Sequence, residues 1–423
     1  YEEAVEKAFG LFHWLLLVVC GWANASDAVE ILCVSFLLPT ARCDLLLSSS
    51  DKGLLTASIF LMMVGGYMWG YLADQRGRRE VLVLSLAVNG VFGGLASTAP
   101  WFWLFLLLRF ISGIVGGSIP VIFSYFSEFM PRLRRGAMIS ALATFWMAGN
   151  ILAALAWLVI PSTWAHFSLG MLDFQSWRLF VVLCSVPSLT SALLFKLLMP
   201  ESPKFLMEGL VPVKRMFTGS LKSRSIALLM VFYCLSFYYG LWMWFPELLQ
   251  RLEHGGSPCA NVSLPSPLHN QSCYPVETAV FKESFIIAAS NLPGNILTIL
   301  IMDWTGGKVL LCSLLVSSLS VFLIYVVQTK AQSLVFSCVF SGVSVISWNA
   351  LDVVGTELYP TQLSSALGFF TGVGRVAAIT GNVVFGKLVE TNCAVPILLA
   401  SALLLTGGLV ACLLPQTRQS ELT

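Results

Sequence analysis

Apolar runs of about 20 residues recur along the whole chain, each long enough to cross a bilayer as a helix, and no other feature limits the possible folds as tightly. With 57% hydrophobic residues, 11% charged residues and a mean hydropathy of +0.83, the 423 residues cannot fold as an ordinary soluble domain. They read as an all-α polytopic membrane protein whose first partner is the lipid bilayer. The formal net charge is only +2 and no long basic or acidic run is present, which argues against nucleic acid or an anionic polymer as a partner.

The apolar runs fall near 11–38, 52–72, 80–99, 101–127, 136–161 and 177–198, then near 225–249, 280–301, 308–328, 331–356, 363–388 and 394–414. Twelve spans put both termini on one side. Asp74 and Asp303 lie 229 residues apart, and the same offset pairs Gly77 with Gly306, Arg79 with Lys308, Ser112-Gly113 with Ser341-Gly342, and Glu128 and Pro131 with Glu357 and Pro360. One register through otherwise unrelated apolar sequence implies two repeated halves. We expect pseudo-symmetric six-helix bundles over 1–198 and 225–423, joined by a linker over 199–224. Parallel repeats of this kind build a large class of secondary transporters that rock around a midplane site.

Lys and Arg give the orientation. Arg76, Arg78 and Arg79 follow the second span, Arg132, Arg134 and Arg135 follow the fourth, and Lys204, Lys214, Arg215, Lys222 and Arg224 lie between the halves. These clusters, and with them both termini, are expected in the cytosol. The loop over about 250–279 then faces outward, in the plasma membrane or a vesicle membrane. It holds two glycosylation patterns, at Asn261 and Asn270, and two cysteines, Cys259 and Cys273, so a glycosylated, disulfide-bonded loop is expected. A third pattern at Asn24 falls inside span one and is read as unused. Tyr1–Gly10 is polar and of mixed charge, which offers no cleavable signal, and a tail is expected ahead of Tyr1.

The stretch Gly70-Tyr71-Leu72-Ala73-Asp74-Gln75-Arg76-Gly77-Arg78-Arg79 resembles the motif joining helices two and three in the major facilitator superfamily. Asp303-Trp304-Thr305-Gly306-Gly307-Lys308 looks like its worn second copy. Glycine there permits a tight turn, and the acid can bond basic groups and helix ends in one conformer only, so Gly70, Asp74, Arg78 and Asp303 are assigned to a conformational switch. Arg109-Phe110-Ile111-Ser112-Gly113, Pro200-Glu201-Ser202-Pro203 and Glu357-Leu358-Tyr359-Pro360 extend the resemblance over essentially the whole chain. The string 116–129 and Ser347-Trp348-Asn349-Ala350-Leu351-Asp352-Val353 resemble the synaptic vesicle glycoprotein 2 family more narrowly, as do Asp27, Glu30 and Phe237-Tyr238-Tyr239-Gly240. That family carries a large pentapeptide-repeat domain between spans seven and eight, where this chain has about 30 residues, so a toxin-receptor role does not carry over. The glycine pattern between Gly113 and Gly116 is also one residue short.

Charges inside spans are costly and normally face a polar cavity or a partner. Asp27 and Glu30 stand three residues apart on one side of span one, suited to proton coupling or to recognising a cationic group, or else to a static pair with Arg109. Arg109 is split between proton coupling, which the resemblance implies, and a structural counter-ion. Asp352 follows Trp348 by four residues on span ten. By resemblance, Trp157, Tyr238, Tyr239, Ile119 and Phe123 line the family's central pocket, where racetam-type drugs bind between aromatic walls. An aromatic cage with one acid suits a small amide, a sugar or an organic cation. By resemblance, Arg375 on span eleven falls where organic-ion transporters of the superfamily that carry anions place an arginine, which would favour a carboxylate; neutralised by Asp352, it would leave a net-neutral pocket that prefers zwitterions or sugars.

No nucleotide-binding loop, metal cluster or hydrolytic triad is evident, the chain has four His, and neither cofactor nor enzymatic activity is expected. The resulting expectation is a proton-coupled, alternating-access transporter of a small polar organic solute: an organic ion, a zwitterion or a sugar-like molecule. The rival expectation is a transport-silent vesicle-membrane regulator or receptor that keeps the old cavity for ligands.

Overall fold

The computed structural model describes residues 9–64, 66–131, 134–161, 166–170, 172–202, 217–255, 258–259, 276–305, 308–358 and 364–414. Asn261, Asn270 and Cys273 lie outside these residues, as does most of the linker, and the side chain of Asp303 lies outside the description too.

The first half runs α1 (Leu11–Thr40), α2 (Ser49–Met63), α3 (Gly66–Arg76), α4 (Arg78–Ala96), α5 (Phe102–Ser112), α6 (Ile114–Glu128), α7 (Arg135–Ala154), α8 (Ala156–Val159) and α9 (Ser176–Leu198). The second runs α10 (Leu221–Ser236), α11 (Tyr238–Gly255), α12 (Thr278–Ala289), α13 (Asn291–Thr305), α14 (Lys308–Val326), α15 (Lys330–Glu357), α16 (Ser364–Leu388) and α17 (Ala394–Ala411). Among the described residues, ten helical stretches are long and apolar enough to cross a membrane. The two other expected spans arrive as the broken pairs α2/α3 and α5/α6, an arrangement consistent with twelve spans. Between α8 and α9 the chain forms a short antiparallel hairpin, β1 (Phe167–Leu169) with β2 (Leu172–Phe174), closed by the stacked rings of Phe167 and Phe174.

Local chemistry sets several boundaries. Ser48 and Asp51 cap α2 reciprocally: the Ser48 hydroxyl accepts from the Asp51 N–H at 3.2 Å, and the Ser48 N–H donates to Asp51 Oδ2 at 3.0 Å. Gly77 joins α3 to α4 at φ +102, a conformation that a side chain rarely adopts, and a β-carbon there would stand 2.7 Å from Glu201 Oε2. The break at Gly113, where the glycine pattern is one residue short, separates α5 from α6. It lets the backbone approach α2 so closely that a methyl at Gly113 would lie 2.6 Å from the Ile59 carbonyl oxygen. Its repeat mate Gly342, on α15, is met in the same way by α13, since a methyl on Gly294 would lie 2.1 Å from the Gly342 carbonyl oxygen. The repeated Ser-Gly pairs thus mark equivalent close crossings, span four on span two and span ten on span eight.

Motifs far apart in sequence converge at the end that carries Arg76, Arg78 and Arg79, here called the basic end. Arg78 pairs with Glu128 and lies 3.4 Å from Asp74 Oδ1, Ser202 donates to Glu128, and the Arg79 N–H donates to Glu201 Oε1 at 3.1 Å. Among the described residues these pairs stay within 1–202. The opposite end differs. There Lys52 Nζ on α2 meets Glu247 Oε2 on α11 at 2.7 Å, Arg251 lies 3.4 Å from Glu247 and 4.0 Å from Glu390, and Ser49 bonds to Glu390. Lys52 and Glu247 are each 1% exposed.

The expected Cys259–Cys273 disulfide is corrected: Cys259 pairs with Cys393, Cα to Cα 5.3 Å. The start of the loop after α11 is therefore fixed to the turn between α16 and α17, which the packing of α11 brings beside it, and not to a cysteine nearby in sequence. Cys43 is also disulfide-bonded.

Candidate functional site

A cavity opens between the halves. From the first half, α1 contributes Asn24 and Asp27, α6 contributes Ile119, Pro120 and Phe123, and α7 contributes Trp146 and its neighbours Ile139, Ala143 and Met147. The second half supplies Phe232 from α10, Tyr238 and Tyr239 from the head of α11, Trp348, Asn349 and Asp352 from α15, and Thr371 and Arg375 from α16.

Breaks in the helices aim several of these residues. The interruption at Phe237 ends α10 and starts α11 with Tyr238-Tyr239, whose rings pack at 4.7 Å and reach Trp348 at 6.2 and 5.9 Å. Discontinuous helices near the midplane are how transporters of this architecture expose backbone and polar side chains to a ligand. Phe60 meets Tyr239 at 5.3 Å and Trp146 stacks on Trp242 at 5.7 Å, so aromatic contacts cross between the halves on both flanks of the cavity.

The charges sort into two sets. Asp27 is fully buried and accepts from Trp146 Nε1 at 3.4 Å, while its Oδ1 has no hydrogen-bond partner among the described residues. Arg375 lies over the rings of Tyr239 at 5.2 Å and Phe60 at 5.6 Å and interacts electrostatically with both Asp27 and Asp352. Glu30 belongs to the second set. It pairs with Arg109 away from the cavity, Ser112 Oγ donates to Glu30 Oε1 at 3.4 Å, and Arg109 Nη2 donates to the Glu30 carbonyl at 3.2 Å. Three residues of helix rotate a side chain by about 300°, leaving Asp27 and Glu30 about 60° apart, and the cavity wall ends between them.

Trp157 is the site residue that the fold places elsewhere. It lies on α8 beside Lys282, whose Nζ is 5.8 Å from the ring, and Trp146 stands in the cavity instead. The two are eleven residues apart, about three turns, so helical spacing alone puts them on one face; only depth, and the break at Leu155, tell them apart. Asn24, read in the sequence only as an unused glycosylation pattern, and Asn349, read only as part of a family string, also line the cavity; each stands three residues before a cavity acid, at the helical spacing that marks a shared face. Ile119, Phe123, Tyr238, Tyr239, Trp348, Asp352 and Arg375 all line the cavity as expected. Gly70, Asp74 and Arg78 line a smaller pocket of about 240 Å³ at the basic end, which Gly368 of the second half closes.

Comparison with known proteins fits this geometry. The Major Facilitator Superfamily model matches residues 16–268. Human synaptic vesicle glycoprotein 2B is 31% identical over all of this chain and 86% of its own length, and rat synaptic vesicle glycoprotein 2C is 29% identical over all of this chain and 81% of its own. The alignment to the former spans 589 positions against 423 residues here, so that relative carries segments with no counterpart in this chain. Among solved structures, the xylose transporter XylE of E. coli in a partially occluded inward-open conformation is similar, with TM-score 0.74, 15% identity and coverage of 98% of this chain and 100% of that one. A D-xylose-proton symporter superposes with TM-score 0.72 at 17% identity, covering 97% and 99%. The repeat, the cavity and these matches together establish that the chain is a multi-pass membrane protein belonging to the major facilitator superfamily, grouped within it with the synaptic vesicle glycoprotein 2 proteins.

Proposed function

We propose that the chain is a secondary transporter of a small polar organic solute that works by alternating access and is coupled to protons. One observation carries this reading: the cavity is walled by both halves, and each half puts one acid into it, Asp27 from α1 and Asp352 from α15. A ligand held there must respond to the relative motion of the halves. The end opposite the basic end is sealed between the halves by Lys52, Glu247, Arg251 and Glu390, whereas the ion pairs described at the basic end stay within the first half. The positive-inside rule places the basic end in the cytosol, with the loop after α11 outward, in a plasma or vesicle membrane. The similarity to xylose–proton symporters supports both a small solute and a proton.

Proteoliposomes bearing the purified protein, given a mixture of cell metabolites and an inside-alkaline pH gradient, should accumulate at least one polar solute, and a protonophore should abolish the accumulation. Asp27→Asn should remove the gradient-driven part, because an amide cannot take up and release a proton. If no solute accumulates in either gradient direction, transport is refuted and the regulator reading, which the likeness to vesicle glycoproteins favours, takes its place.

A further inference from the structure

The unanswered polar atoms of the cavity are segregated by half. On the first half, Asp27 Oδ1 and Asn24 Oδ1 are buried acceptors without a partner; on the second, Arg375 Nε and Nη1 are buried donors without one, among the described residues, and Trp348 Nε1 is a buried donor beside Tyr238. Asn24 already donates its amide N–H to the Leu142 carbonyl at 3.3 Å, so its free oxygen can only accept. Buried groups of this kind are costly unless a ligand or water answers them.

We propose that the solute is a small zwitterion whose ammonium is taken by Asp27 and Asn24 and whose carboxylate is taken by Arg375 and Trp348. The inference rests on the transport reading for its biological meaning, but its own claim is one of binding. The ligand classes differ in how they meet this pattern. A polyol offers donors and acceptors interleaved around its ring and would be matched by interleaved partners on each wall, not by acceptors on one half and donors on the other. A simple carboxylate meets two acids, Asp27 and Asp352, for one guanidinium. A simple ammonium gains an acid but leaves the Arg375 donors unanswered. A molecule with an ammonium at one end and a carboxylate at the other meets Asp27 and Arg375 together, while Asp352 keeps its electrostatic interaction with Arg375. The ammonium also finds aromatic faces close by, at Trp146 beside Asp27 and at Tyr238 and Tyr239. Because the two ends are held by different halves, such a ligand would draw the halves together, which a ligand held by one half alone would not do.

The test uses the full chain purified in detergent, with ω-amino carboxylates of about two to five methylenes as probes, so that the series measures the distance between the two walls. Matched n-alkylamines, n-alkanoates and D-xylose are the comparisons, and binding is read by calorimetry and by the shift in Tm. At least one ω-amino carboxylate should bind about tenfold or more tighter than both the amine and the acid of its length, with an optimum within the series. Arg375→Gln should bring its affinity down to that of the amine, and Asp27→Asn down to that of the alkanoate. The inference is overturned if D-xylose or an alkylamine stabilises the unaltered protein as well as the best zwitterion, or if no member of the series binds. Should either variant fail to fold, the comparison within the unaltered protein still decides. Zwitterion binding without uptake in proteoliposomes would refute transport alone, and uptake of another solute class without zwitterion binding would refute this inference alone.

Discussion

Asp27 and Glu30 look equivalent in the sequence, yet one turn of helix gives them different company: cavity and tryptophan for Asp27, a buried guanidinium for Glu30. The residue types and their spacing were legible; which side of a cavity rim each falls on was not, because a rim is made by the neighbouring helices. The same holds for the tryptophans. Truncating Trp348 or Trp146 to alanine should cost roughly 1–3 kcal/mol of ligand binding, about fivefold to more than a hundredfold in affinity. Trp157→Ala, on α8, and Trp103→Ala, 67% exposed on the outer face of α5, should leave affinity near that of the unaltered protein. Equilibrium binding with the four purified variants checks this, and a Trp146→Ala protein that folds and binds normally would remove α7 from the cavity wall.

At the scale of elements, hydropathy gave the spans their approximate limits but not their interruptions. The apolar count is the same whether or not the backbone breaks at Gly113, Phe237 or Ser290, since the residues there are as apolar or as small as their neighbours. The seal opposite the basic end was equally hidden. Lys52 reads as a charge at the mouth of span two and Glu247 as one within a seventh span; only the packing of α2 against α11 makes them a pair. Removing one partner of a buried ion pair usually costs about 3–5 kcal/mol. Lys52→Met and Glu247→Gln should each lower Tm, and each should raise the accessibility of cysteines introduced at that end. Their combination should cost less than the sum, by about 1 kcal/mol or more. Strict additivity of Tm and accessibility would mean that the pair does not hold the halves together.

For the whole molecule, the 229-residue register was the most telling feature of the sequence, and the matched crossings at Gly113 and Gly342 show what it encodes. Long-range pairing of cysteines lay beyond it, because nothing in the loop distinguishes Cys393, 134 residues away, from a cysteine nearby. Orientation follows from charge bias alone, so it makes a direct prediction. Glycosidase treatment of intact cells or right-side-out vesicles should change the mobility of the protein, and the Asn261→Gln/Asn270→Gln double variant should show no change. A protein at that surface whose mobility stays constant would be inverted relative to the proposal.

The division of ion pairs into those within one half and those across the halves also has a meaning for biosynthesis. Arg109 with Glu30, Arg78 with Glu128 and Arg178 with Asp44 are each complete once the ribosome has passed the first half, so those charges can be neutralised as soon as their helices reach the membrane. Lys52 is different: its counter-ion, Glu247, is 195 residues further along the chain. Until the seventh span is inserted, the nascent protein must hold this lysine at the headgroups or in water. Insertion of the seventh span therefore supplies the charge that matches Lys52, and a chain halted before Glu247 carries an unmatched positive charge.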